Sequence, residues 1–92
     1  MIDFNNSSKA IYLQIADDMC DKILTGTFVP DERIPSVREY AAQVEVNVNT
    51  VMRAYDYLSS LEIIYNKRGL GFFAATDARL RVIDQRRREL LG

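Results

Sequence analysis

The stretch VNVNTVMRAYDYL, residues 46–58, opens with Asn47, Asn49 and Thr50 and carries Arg53 one turn further on. Asparagine and threonine are poor helix formers, yet Val51, Ala54 and Leu58 recur at helical spacing on one face. At about 100° per residue, Asn49, Met52 and Arg53 then point away from that face. Asn49 and Arg53, four residues apart, lie one above the other. A carboxamide pairs bidentately with the edge of adenine, and a guanidinium fork does the same with guanine. Two plainer roles stand beside this one. Asn47 is placed to cap the helix through its side-chain oxygen, and Arg53 stands three residues before Asp56, within ion-pair reach.

Other chemistry has little to work with. The chain has no histidine, no tryptophan and a single cysteine, Cys20. Metal centres, cofactor sites and an internal disulfide are therefore not expected. Cys20 falls on the apolar side of a helical pattern, where a thiol acts as a small hydrophobe. Asp17, Asp18 and Asp21 cluster, but no further carboxylate stands at loop-ligand spacing, so a solvated face is expected. No nucleophile sits beside a base, and GLG at 69–71 is too short for a nucleotide loop. The chain is not expected to be an enzyme.

These residues must be positioned by a small frame. With 92 residues, the chain makes one domain with a thin core, which a second copy or a second domain would help to stabilise. Residues 1–8 are polar and expected to be loose. Ile11, Tyr12, Ile15, Ala16, Met19, Cys20, Ile23 and Leu24 repeat as adjacent pairs every four residues, which predicts a helix over 9–25 stopped by Gly26. Pro30 and Pro35 break the chain. Ser36 and Glu39 form the S-x-x-E pattern of a capping box, so a second helix is predicted over 36–44, with Val37, Tyr40, Ala41 and Val44 inward. Glu45-Val46-Asn47 is a short turn, and a third helix follows to about Leu61. Two short helices so joined make a helix-turn-helix. Ile63, Ile64 and Tyr65, then Phe72 and Phe73, are β-prone around NKRGLG, which predicts a hairpin with a basic tip. A last helix starts at Thr76 or Asp77, either of which is placed to cap it.

The expected class is thus mainly α with a small β-hairpin: a winged helix-turn-helix over 9–75 and a C-terminal amphipathic helix over 76–92. In such a fold the start of the second helix of the motif reaches base edges in the major groove. Ser36 and Arg38 at a helix N-terminus, and Lys67 and Arg68 at the wing tip, suit phosphate, although two tip cations also keep a hairpin edge soluble. Leu80, Ile83, Leu90 and Leu91, with Arg87 among them, form a stripe that calls for a partner surface; the alternative is that Leu80 and Ile83 pack back onto the first helix and leave only the last turn free.

The segments IYLQIADDMCDKILTGTF, RIPSVREYAAQVEVNVNTVMRAYDYL and IIYNKRGLGFFA resemble the DNA-binding domain of the GntR family of bacterial transcription regulators. The spacing IPSVREYAAQ…VNTVMRAY…L…RGLGFF is most similar to its YtrA-type subgroup. The resemblance covers roughly residues 9–75. It implies a homodimeric repressor on a palindromic operator. It also implies DNA contacts from Arg38, from Asn47, Val48, Asn49 and Thr50, and from Lys67, Arg68 and Gly69. The chain departs from the family in two ways. Val48 and Met52 stand where many relatives carry arginine, though Val48 suits a thymine methyl. Glu45 and Glu62 stand where glycine is usual, so either Glu45 accepts a strained turn conformation or the turn differs. Subgroup members add a short helical dimerisation segment, and the stripe here runs into RRRELLG. That is expected of a chain cut within such a segment or of a minimal dimerisation helix.

The leading expectation is a sequence-specific DNA-binding regulator, with double-stranded DNA and a second copy as partners. The competing one is a winged-helix module that binds a protein through the third helix, which the net charge of −1 would suit. Polar Asn47, Asn49, Thr50 and Arg53 beside a Lys-Arg wing argue against it. No run approaches the ~20 apolar residues of a membrane span, so a cytoplasmic protein without membrane contact is expected. No residue pattern specifies a small-molecule effector.

Overall fold

The paired apolar repeat at the front of the chain forms helix α1, Ile11–Leu24. The structure, a computed structural model, describes residues 9–91. The expected loose segment 1–8 lies outside the described residues, as does the side chain of Leu91. α1 buries Ile15, Ala16, Met19, Cys20 and Ile23, which are one side of the predicted stripe. Ile11 remains exposed and Leu24 half-buried. Burial pushes the Cys20 thiol up to about 12, so it stays an unreactive thiol in the folded protein.

Helix α2, Val37–Val44, begins with the expected capping box. Ser36 Oγ accepts from the Glu39 N–H at 3.1 Å, and the Ser36 N–H donates to Glu39 Oε1 at 2.9 Å. The helix ends at Glu45, which is left-handed at φ 57° and ψ 47°. Asn47 then caps helix α3, Val48–Ser60, its side-chain oxygen accepting from the Asn49 N–H at 2.8 Å. Both glutamates in glycine-type turns are left-handed, since Glu62 has φ 61°. Asp31 joins them at φ 65°, a site that sequence reading did not anticipate. A Cβ in that region costs on the order of 1–2 kcal/mol. Glu45→Gly is therefore expected to raise stability by about 0.5 to 1 kcal/mol, after the greater unfolded-state freedom of glycine is offset. Thermal denaturation of the two chains checks this, and a lower midpoint for the glycine variant would refute it.

The hairpin pairs β1, Ile64–Lys67, with β2, Gly71–Ala74, antiparallel in the register Ile64–Ala74 to Lys67–Gly71. A connector before α2 supports its outer edge. The Asp31 N–H donates to the Ala74 carbonyl, the Ala74 N–H to the Glu32 carbonyl, and the Ile34 N–H to the Phe72 carbonyl. The two-proline loop of the sequence reading thus runs along β2 as a third, strand-like edge.

Helix α4, Ala78–Leu91, docks on α1. Ala78 and Val82 are buried, and Arg86 reaches Asp21 Oδ1 at 2.7 Å and the Asp17 carbonyl at 3.3 Å. The face chosen is opposite to the stripe noted in the sequence. Leu80 is 70% exposed and Leu90 88% exposed, and Ile83 and Arg87 are exposed as well. Asp17 and Asp21 on α1 keep to the solvent side, as expected, while Asp18 is part-buried, and each has a cation beside it. Asp17 pairs with Lys9, Asp18 with Lys22, and Asp21 with Arg86. Thr76 does not turn to the helix. Its hydroxyl donates to the Asp31 carboxylate at 2.7 Å, while the Asp77 carbonyl accepts from the Arg81 N–H.

Candidate nucleic-acid interface

Three segments carry the residues singled out for DNA. At the start of α2, Arg38 is exposed and makes no ion pair among the described residues. Ser36 is half-buried, and its hydroxyl oxygen and N–H are both engaged by Glu39. The positive end of α2 is thus already occupied by a carboxylate. The Ser36 hydrogen bonds in turn hold the Glu39 carboxyl below its ordinary range.

At the start of α3, Asn47 spends its oxygen on the cap and keeps its NH₂ free to donate. Asn49 is exposed, whereas Val48 and Thr50 are half-buried, with Val48 packed against the core. Arg53 does not pair with Asp56. Its guanidinium lies 4.3 Å from the centroid of the Tyr12 ring on α1. Tyr12 meets Tyr57 edge-on at 6.1 Å, and the Tyr57 hydroxyl accepts from Gln85 of α4 at 3.3 Å. Arg53 is exposed but preset on an aromatic face, and leaving it costs about 0.5–1 kcal/mol. Sequence reading missed Tyr12 in this role, and its position on the α1 stripe pointed only to the core.

In the wing, Lys67 closes β1 with Nζ 4.9 Å from the Phe73 ring centroid. Tyr65 and Phe73 stack beneath it, 5.7 Å apart and 17° from parallel. Arg68 and Gly69 form the turn with Leu70, and Gly69 has the positive φ, 82°, that the turn requires. Arg68 is exposed and without a carboxylate partner among the described residues.

One buried residue binds the three segments together. Tyr55 of α3 is fully buried. Its hydroxyl donates to the Pro35 carbonyl, just before α2, at 2.6 Å. Its ring meets Phe72 of the wing edge-on at 5.0 Å and Tyr40 of α2 at 6.2 Å. Burial pushes its phenol well above the ordinary range, so it stays a neutral donor. Tyr55 stands four residues after Val51, so helical spacing could have placed it inward. Nothing local announced its reach to two other segments.

Lys9, Lys22, Arg33, Arg81, Arg86 and Arg88 each pair with a carboxylate. Arg38, Arg53, Lys67 and Arg68 have none among the described residues, and neither have Arg79 and Arg87 on α4. Such charges remain available to phosphate. Leu80, Ile83, Arg87 and Leu90 lie apart from this surface, on the outer side of α4. Among the described residues no group of ligating side chains could hold a metal, and no helix is long and apolar enough to cross a membrane.

Residues 11–74 match the family described as bacterial regulatory proteins, gntR family. The chain is 43% identical over 74 residues to YhcF of Bacillus subtilis, an uncharacterized HTH-type transcriptional regulator; the match takes in 80% of this chain and 61% of that one. It is 37% identical over 78 residues to the HTH-type transcriptional repressor YtrA of the same organism, covering 85% of this chain and 60% of YtrA. The chain thus spans about three fifths of these relatives. Among solved structures, a GntR-family regulator from Bacteroides thetaiotaomicron is 56% identical and superposes with a TM-score of 0.79, over 89% of this chain and 70% of that one. The AraR DNA-binding domain in complex with operator ORX1 is 27% identical with a TM-score of 0.72, over 82% of this chain and 93% of that one.

Proposed function

Because the chain belongs to the gntR family of bacterial regulatory proteins, we propose that it is a repressor that binds a palindromic operator as a homodimer. The observation that carries this is the set of four cations, Arg38, Arg53, Lys67 and Arg68, left without carboxylates on three segments that Tyr55 holds together. The complex of the AraR domain with its operator supports the same use of this fold.

In this reading residues 9–75 are the DNA-binding unit and residues 76–92 begin the dimerisation segment. Asn49 and Arg53 read base edges in the major groove, with Asn47, Val48 and Thr50 beside them. Arg53 leaves the Tyr12 ring to do so. Arg38 binds phosphate beside the start of α2, where Ser36, its oxygen and N–H taken by Glu39, still has its hydroxyl proton to donate, and Lys67, Arg68 and Gly69 bind it through the wing. The outer face of α4, with Leu80, Ile83, Arg87 and Leu90, meets a second copy, and Leu91 is assigned to the same contact from its place in the sequence. Two recognition helices then reach half-sites about one helical turn apart, roughly 34 Å.

Selection of bound sequences from random duplexes, followed by binding at two salt concentrations, tests the proposal. Specific, steeply salt-dependent binding is expected, and a chain that captures no duplex would overturn it. Arg53→Ala is expected to cost about 1–3 kcal/mol and to relax the preference at one base pair. An unchanged preference would remove Arg53 from the reading surface. Lys67→Ala is expected to weaken all duplexes alike and to lower the salt slope by about one. A slope equal to that of the parent would mean that Lys67 does not touch the backbone.

A further inference from the structure

The β1–β2 ladder ends at the Lys67–Gly71 pair, and the strand-like connector braces β2 only from Phe72 to Ala74. A two-stranded hairpin of this length is marginal in water by itself. The turn beyond it, residues 68–70, has one backbone bond, from the Leu70 N–H to the Lys67 carbonyl at 2.9 Å. Among the described residues the side chain bonded to this turn is that of Arg33. Its Nε donates to the Leu70 carbonyl at 3.2 Å. The other end of the guanidinium, Nη2, lies 3.7 Å from Glu39 Oε1. Glu39 is itself fixed by the capping box of α2.

Gly71 leaves the passage open. A Cβ there would stand 3.1 Å from Arg33 Nε, and the residue has φ 107°. The wing tip and the N-terminus of α2 are far apart in sequence, and each carries an exposed arginine, Arg68 and Arg38, with no carboxylate partner among the described residues. We propose that Arg33 is a positioning residue for DNA binding: a strut that fixes the wing tip against the start of α2, so that Arg68 and Arg38 meet the duplex at a set separation. This rests on the DNA-binding reading above for its purpose, and on the free chain for its geometry.

The strut is tested first without DNA. In Arg33→Met, which keeps the length of the side chain but removes its donors, the backbone ¹H–¹⁵N NOE of Arg68, Gly69 and Leu70 is expected to fall. That of Phe72 to Ala74 is expected to stay at the parental value. Tip amides as rigid as in the parent would overturn the proposal, whether or not DNA binds. Binding is then compared in two backgrounds. Arg33→Met is expected to weaken a selected duplex about tenfold in the parent and no more than about twofold in Arg68→Ala, because a loosened tip matters little once its cation is gone. An equal loss in both backgrounds would mean that Arg33 touches the duplex itself or acts on the whole fold, and would refute the positioning role. A parent chain that binds no duplex would strike the DNA-binding reading and leave the NMR result to stand or fall separately.

Discussion

The double substitution Leu80→Glu, Ile83→Glu is expected to leave the fold intact, turn a dimer into a monomer and lower affinity for a palindromic duplex by about 10²-fold or more. Two linked recognition helices gain on the order of 10²–10⁴ over one, and a monomer of net charge −1 has little nonspecific attraction to compensate. The choice of residues comes from the docking of α4. Ala78, Val82 and Arg86 face α1 and the core, so glutamates at Leu80 and Ile83 enter solvent and should change stability by no more than about 0.5 kcal/mol. Deleting residues 79–92 would be a poorer experiment. It would strip Val82 from the core and Arg86 from Asp21, and so confuse unfolding with dissociation. Sedimentation of the parent and the double variant, with and without duplex, decides. A parent that stays monomeric at high concentration on a palindromic duplex would overturn the assembly. A variant that still dimerises would place the interface elsewhere.

The second large effect is expected at Tyr55. Truncation of a fully buried aromatic residue costs about 3–5 kcal/mol, a large share of the stability of a domain this small. Tyr55→Ala should therefore lose its cooperative unfolding transition near physiological temperature. Tyr55→Phe keeps the ring between Tyr40 and Phe72 and removes only the bond to the Pro35 carbonyl. It should cost about 1 kcal/mol and loosen residues 33–36, which hydrogen exchange reads directly. Denaturant titration of both variants provides the check. A loss below about 1.5 kcal/mol for the alanine variant would show that Tyr55 is not the common anchor.

Much of the local architecture was legible because its causes are local. The capping box of Ser36 and Glu39, the Asn47 cap and the turn at Gly69 each depend on residues a few positions apart. A cap satisfies helix N–H groups that have no other partner, so its residues announce it. The apolar repeat of α1 likewise placed that helix within two residues of its bounds. The strained turn at Glu45 was one of two outcomes left open by the glycine that similar chains carry there, and the left-handed conformation is present.

What lay beyond reach depended on partners distant in the chain. The connector 31–34 carries two flanking prolines and looks like a loop until β2 offers it carbonyls and an N–H some forty residues away. Arg33 looks like an ordinary surface charge until the wing returns beside it, 37 residues on. Arg53 had a nearby carboxylate in Asp56, yet it rests on Tyr12 of another helix. The outward aspartates of α1 gave no sign that Arg86, 65 residues on, would lie against the still exposed Asp21.

The sequence by itself determined the helices, their caps and turns, and the order helix, helix-turn-helix, hairpin, helix, because short-range hydrogen bonds and periodic burial act within one segment. Only the tertiary structure decided which face of α4 turns inward. That helix carries apolar residues on both sides, Val82 on one and Leu80 and Ile83 on the other, and its own pattern does not choose between them. α1 chooses: it offers an apolar surface for Ala78 and Val82, and beside it the Asp21 carboxylate and Asp17 carbonyl for Arg86. Burial is favoured where apolar area and a partner for the adjoining charge are found together, and that coincidence exists only once α1 and α4 share a surface.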